Sequence, residues 1–200
     1  ELKAGVVQID AENLKGSSIF MGGRHGSTVT GTANAIMAAS LSQGITTLDG
    51  AACEPEIVDL CEMLTKMGAI IQGMGSHRLE IQGVSKLHGC HHRVIPDRIE
   101  TATYAIAAGI TNGEICIQDC QPKHLGAFAN VMQECGMEME SDPDDNLSIK
   151  VSPGGLKPFE VITLPYPGFP TDLQAQTTAL ACVVPGLSIL TERVYPSRFM

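Results

Sequence analysis

Apolar positions along this chain follow two periods, and the two alternate in the same order more than once. Between Glu54 and Met67, the residues Ile57, Leu60, Cys61, Leu64 and Met67 recur at the spacing of a helix that lays one face on a sheet. Short β-prone runs surround it: ITTLDG from Ile45, AIIQG from Ala69 and HRLEIQGV from His77. The succession returns downstream as EICIQDC from Glu114, QPKHLGAFANVMQECGMEME from Gln121 and NLSIKVS from Asn146. A small-residue helical run ending in glycine opens each copy, at Ala33–Gly44 and Thr103–Gly113. A third lies at Thr177–Gly186, followed by LSILTE. The three glycines are 69 and 73 residues apart. A repeat of that length is a whole α/β unit, too long for a solenoid turn. Each full copy reads β-α-β-α-β-β in cyclic order, helices on a mostly four-stranded sheet.

Punctuation supports these elements. Thr171 with Gln174, and Asp97 with Glu100, have capping-box spacing, while Thr30-Gly31-Thr32 opens the first helix. Gly44 and Gly113 stand where a left-handed residue ends a helix. Pro55 and Pro122 suit first helical turns, and Gly68 and Gly136 close those helices. Gly73–Ser76 and Ser141–Asp145 are turns between strands. Val94-Ile95-Pro96 interrupts the pattern and is the candidate domain crossing.

Composition narrows the possibilities. With a net charge of −9 and pI near 5, the chain is a poor general binder of nucleic acid or anionic membrane. No run of 18 apolar residues exists, and the first residues lack a signal-peptide pattern. The chain reads as an excerpt of a longer protein. Seven cysteines, an odd number, lie in apolar runs such as those around Cys61, Cys135 and Cys182. That favours reduced, buried thiols in the cytoplasm over a disulfide frame. Cys116 and Cys120 read as core or rim residues. Cys90-His91-His92 lacks the ligand spacing of a zinc site, so no metal is expected.

Chemistry is to be sought where the copies differ, at the helix starts. Met21–Thr32 holds four glycines with Arg24 and His25. It is either a loop whose amides approach an anion or a plain flexible turn. Leu164–Asp172 carries three prolines and one glycine, so it presents Asp172 in a fixed place. That carboxylate either pairs with its own helix dipole or acts as a base on a substrate proton. Arg198 is a solvated charge or an anion contact. The helix dipole alone explains Glu54.

Glu54–Asp59 (EPEIVD), Val94–Thr101 (VIPDRIET), Phe169–Gln176 (FPTDLQAQ) and Arg198–Met200 (RFM) occur in that order. Together they resemble the UDP-N-acetylglucosamine 1-carboxyvinyltransferases, enolpyruvyl transferases that open bacterial peptidoglycan synthesis. The resemblance runs from Leu14 to Met200. It implies an α/β fold of two inside-out barrels, each of three repeated units. Residues 1–95 would then be part of the first globule and residues 96–200 part of the second. It implies that Asp172 contacts the sugar 3-hydroxyl and removes its proton. It places Arg198 in the substrate cleft, Val194 against the nucleotide sugar through its backbone, Asp97 and Arg98 near the cleft, and Glu54 at its edge. The family's Ser-Val-Gly-Ala-Thr cradle for uridine and diphosphate is represented here by Thr30-Gly31-Thr32, with GGRHG, including Arg24, inserted before it.

The family's reactive Cys or Asp loop, Lys-Asn pair and pyruvyl-binding arginines lie outside this chain, and none of its cysteines is that Cys. The implied substrates are UDP-N-acetylglucosamine and phosphoenolpyruvate. No cofactor or metal is implied, and the protein is expected to be a cytoplasmic monomer with no nucleic-acid or membrane partner. The chain alone is expected to bind weakly and turn over nothing. Two rivals remain: an enzyme acting on shikimate 3-phosphate, against which FPTDLQAQ argues, and a non-catalytic binding or scaffold protein.

Overall fold

A computed structural model describes Leu2, Lys3, Gly5–Val7 and residues 11–199. Met200, the last residue of the RFM motif, lies outside the described residues. The chain forms two compact units: Glu1–Gly22 with Ser27–Arg93, and Gly23–Gly26 with Val94–Met200.

In the first unit, β1 (Leu2–Lys3) pairs with β2 (Val6–Val7). Then come β3 (Ser18–Phe20) and a short hairpin of β4 (Gly22–Gly23) and β5 (Gly26–Ser27), whose tip belongs to the second unit. The elements α1 (Val29–Ala39), β6 (Ile45–Asp49), α2 (Pro55–Lys66), β7 (Ile70–Gln72) and β8 (Arg78–Gln82) follow. Their sheet has the order β3-β6-β8-β7, with β3 parallel to β6 and the rest antiparallel. The apolar stripe of α2 meets it: Ile57, Cys61 and Leu64 are buried with Ile36, Leu48, Leu79 and Ile81. The first helix opens earlier than Thr30. Thr28 is its cap, accepting from the Gly31 amide at 3.3 Å, and the buried Thr32 hydroxyl donates to the Thr28 carbonyl at 2.7 Å.

The second unit contains α3 (Arg98–Ile110), β9 (Glu114–Ile117), α4 (Gly126–Glu134), β10 (Met137–Ser141) and β11 (Leu147–Val151). After them come β12 (Glu160–Ile162), α5 (Gln174–Ala181) and β13 (Ile189–Thr191). Strands β9, β11 and β10 repeat the arrangement of β6, β8 and β7, down to the register. Ile45 faces Gln82, which faces Ile70; at the matching places Glu114 faces Lys150, which faces Glu138. Leu48 opposite Leu79 corresponds to Ile117 opposite Leu147. The third copy keeps the opening: β12 lies parallel to β13, as β3 does to β6. All three small-residue runs begin inside helices, α1, α3 and α5, and the last helix ends at Ala181. Phe128, Met132, Ile149, Leu173 and Leu180 form the heart of this unit's core.

The structure departs from expectation at five further places. The second sheet has three strands, not four, and Val94-Ile95-Pro96 forms none. Asn112, not Gly113, takes the left-handed conformation after α3, with φ 51°. A small polar side chain tolerates that region. Pro122 opens a 3-10 turn (Pro122–Leu125) before α4 instead of the helix itself. Thr171 forms no capping box, since Thr171–Leu173 is a 3-10 turn and the threonine hydroxyl is turned elsewhere. Cys182 is exposed rather than buried, whereas Cys61, Cys120 and Cys135 are buried.

Candidate functional site

Asp172 is held outward by its neighbours. Phe169 and Leu173, on either side, are 3% and 1% exposed, so the intervening 3-10 turn presents the aspartate to solvent. Its carboxylate bonds no amide of its own helix. Oδ1 instead accepts from the Arg198 guanidinium at 2.9 Å. Arg198 ends a second 3-10 turn (Pro196–Arg198), closed by its amide on the Tyr195 carbonyl at 3.0 Å. Its guanidinium lies 5.7 Å over the Tyr195 ring. With the two side chains 61% and 32% exposed, the pair contributes about 0–1 kcal/mol to stability, so its main effect is orientation.

Beside this pair lies a carboxylate that the sequence patterns did not single out. Glu192 Oε1 accepts from the Thr163 hydroxyl at 2.7 Å and from the amides of Val194 and Tyr195 at 2.8 and 2.7 Å. Its Oε2 accepts from the Thr171 hydroxyl at 2.9 Å. Thr163 is buried, and its oxygen also accepts the Arg193 amide at 2.9 Å. Burial alone would raise the Glu192 pKa. The Tyr195 amide, the Thr163 and Thr171 hydroxyls and the Val194 amide outweigh it and hold the group below the usual carboxylate range. The one available signal in the sequence was an acidic residue closing the LSILTE strand.

Glu192, Arg193 and Val194 line an open groove of about 530 Å³ with Arg24, His25, Gly26, Leu164, Pro165 and Pro196. His25 Nδ1 lies 3.2 Å from the Arg193 carbonyl. Gly26 has φ 112°, and a Cβ there would come within 2.3 Å of Pro165, so only glycine lets the hairpin tip sit in this place. The groove is of small-molecule size. Arg24 and Arg193 are its cations, while both Glu192 oxygens are already bonded. A smaller, more enclosed cavity of about 150 Å³ is lined by Arg98, Lys123, His124, Phe128, Tyr166 and Leu173 among others. Arg98 there stacks at 5.5 Å on Tyr166. Asp97 caps α3, its Oδ1 taking the Ile99 and Glu100 amides at 2.7 and 3.3 Å.

The remaining candidates belong to the first unit. Thr30 is exposed in the first turn of α1, its carbonyl holding the Asn34 amide nitrogen at 2.8 Å. At Gly31 a Cβ would stand 2.5 Å from the Thr28 methyl, so the glycine serves the cap. Glu54 is 7% exposed at the start of α2, and its Oε2 has no hydrogen-bond partner. His92 is bound on both sides, Nε2 to Asp59 at 2.9 Å and Nδ1 to Lys66 at 3.0 Å. Cys53 lies 3.3 Å from His77 Nδ1, but that nitrogen is also 3.0 Å from the Ala51 carbonyl. Burial and then Glu54 raise the Cys53 pKa, and Cys61 is pushed up to about 11 by burial and Glu62. These thiols are poor nucleophiles.

The sequence profile of the EPSP synthase (3-phosphoshikimate 1-carboxyvinyltransferase) family matches residues 2–200. The chain belongs to this family. It is 44% identical, over its full length, to a UDP-N-acetylglucosamine 1-carboxyvinyltransferase of Methylacidiphilum infernorum and covers 47% of that protein. It is 46% identical over 98% of its length to the enzyme of the same name from Acidobacterium capsulatum, covering 44% of it. The chain thus spans just under half the length of these relatives. Among solved structures, the enolpyruvyl transferase NikO from Streptomyces tendae superposes over the whole chain with a TM-score of 0.86 at 21% identity, covering 49% of that chain. EPSP synthase from Acinetobacter baumannii superposes over 89% of this chain and 40% of its own, with a TM-score of 0.57 at 19% identity. These likenesses establish the α/β fold of the enolpyruvyl transferases. No described helix is long and apolar enough to cross a membrane.

Proposed function

We propose that the protein of which this chain is part transfers the enolpyruvyl group of phosphoenolpyruvate to the 3-hydroxyl of UDP-N-acetylglucosamine. The observation that carries the reading is the Asp172–Arg198 pair: an exposed carboxylate free of its own helix, beside a cation and next to a groove lined by Val194 and Arg24. The names of relatives 44–46% identical favour this sugar nucleotide over shikimate 3-phosphate as acceptor.

In this reading the C3 oxygen attacks the enol carbon that bears phosphate, and Asp172 takes the hydroxyl proton as general base. Arg198 stabilises negative charge gathering on the donor. The Val194 backbone and Arg24 hold the nucleotide part. Thr30, Gly31, Glu54 and Arg98 complete the substrate contacts, and Asp97 caps the helix start that carries Arg98. The acid that protonates the enol methylene comes from outside this chain; phosphate then leaves and the new methyl gives up a proton, which restores the carbon–carbon double bond of the product. The two compact units are read as parts of the family's two globules. The reaction would commit the sugar to peptidoglycan, and so to cell-wall growth, shape and division. It would run in the cytoplasm on a monomer.

The test is Asp172→Asn in a chain of the relatives' full length, assayed with both acceptors. Loss of a general base lowers kcat by a factor of roughly 10² to 10⁴. Near-normal kcat would remove Asp172 from the chemistry. Turnover with shikimate 3-phosphate instead of the sugar nucleotide would overturn the choice of acceptor.

A further inference from the structure

The Asp172–Arg198 pair joins two segments that nothing in their local sequence aligns. One is the proline-rich approach ending in Thr171-Asp172; the other is the turn leaving β13, residues 193–198. Both converge on one side chain. Through Oε1, Glu192 takes the successive amides of Val194 and Tyr195, which fixes the backbone of the turn whose last residue is Arg198. Through Oε2 it takes the hydroxyl of Thr171, the residue before Asp172. The buried Thr163 hydroxyl braces the arrangement, donating to Oε1 and accepting the Arg193 amide. Four donors on two oxygens use most of the capacity of a carboxylate. Glu192 is therefore committed chiefly to its scaffold.

We infer that Glu192 is a positioning residue, which sets the distance and angle between Asp172 and Arg198 by clamping the two segments that carry them. The inference rests on the reading of Asp172 as the base. It assigns Glu192 a role of shape rather than charge. Glutamine has the same length and can keep every contact: its oxygen accepts the two amides and the Thr163 hydroxyl, and its NH2 donates to the Thr171 oxygen. Aspartate is one methylene short and cannot span both segments.

Two measurements test it. In the chain at its relatives' full length, hydrogen exchange of the Val194 and Tyr195 amides should be slow in wild type and in Glu192→Gln. It should be fast in Glu192→Ala. In the chain at its relatives' full length, Glu192→Ala and Glu192→Asp should lower kcat about 100-fold with KM for phosphoenolpyruvate little changed, the cost of a misplacement near 1 Å. Glu192→Gln should retain kcat within a few-fold of wild type, and Thr171→Val, which cuts only the Oε2 arm, should lower kcat about tenfold.

Equal damage from Gln and Ala would overturn the inference in favour of a charge role. Unchanged kcat in Glu192→Ala would overturn it outright. Should Glu192→Ala not fold, a wild-type kcat in Thr171→Val is the result that overturns the clamp. If the wild-type full-length protein transfers no enolpyruvyl group at all, the reading of Asp172 fails. The exchange of the Val194 and Tyr195 amides still decides whether Glu192 holds the turn.

Discussion

Two aspartates open helices in the second unit and spend their charge in opposite ways. Asp97 turns back onto its own helix and takes the amides of Ile99 and Glu100, as Thr28 does for Gly31 at the start of α1. Asp172 leaves its helix amides alone and meets Arg198, 26 residues further along. Strand order and register match between the first two copies, and the third keeps only the parallel opening pair of the first. What differs is the lead-in. Asp97 follows Pro96 directly in extended conformation, the backbone geometry of a cap. Asp172 sits inside a 3-10 turn pinned by Phe169 and Leu173, where its side chain faces away from the first amides. A helix-start carboxylate becomes available for chemistry when tertiary packing denies it the cap.

Substitutions can break this contrast. The largest effect is expected from Asp172→Asn, which should raise the barrier of the proposed transfer in the full-length protein by about 3 to 5 kcal/mol while leaving its melting temperature nearly unchanged. A fall in stability without a fall in kcat would make Asp172 resemble Asp97 after all. Next come the repeat-equivalent core leucines. Leu79 and Leu147 are 1% and 3% exposed, and alanine at either should cost about 2 to 5 kcal/mol in urea unfolding. Markedly unequal costs would show that matching register does not bring matching packing. Asp97→Ala should cost about 0.5 to 2 kcal/mol, the value of a lost cap, with little change in kcat.

The pH dependence sharpens the contrast from another side. The folded-state pKa of Glu192 lies below its unfolded value, so its stabilisation is complete above the ordinary glutamate range. It is lost as pH falls from about 4.5 through the depressed value. Glu192→Gln should flatten that acid limb in a series of thermal melts. The smallest effect belongs to Lys150→Gln, which places in β11 the residue that β8 carries at the same register. The Lys150–Glu138 pair is half-exposed, so no shift in melting temperature should be resolved.

Short-range information accounts for much of this molecule. The 3.6-residue stripe on α2, the alternation along β8 and β11, and Gly68 and Gly136 after α2 and α4 all state their structure within a few residues. So does the Asp97 cap, because a cap needs only amides two and three positions away. Resemblance in four short motifs marked Asp172 and Arg198 as a candidate base and cation. What no local pattern carried is which groups meet. Glu192 joins Thr163, 29 residues earlier, and Thr171, 21 residues earlier, through two loops whose paths are set by buried anchors rather than by periodicity. The same is true of His92 on Asp59, which spans 33 residues. The sequence by itself determined the repeated α/β unit, since helix and strand periods are properties of neighbouring residues. Only the tertiary structure decided which of two helix-start aspartates is spent on a cap and which stands beside an arginine, because a side chain's partner depends on what the fold brings within 3 Å.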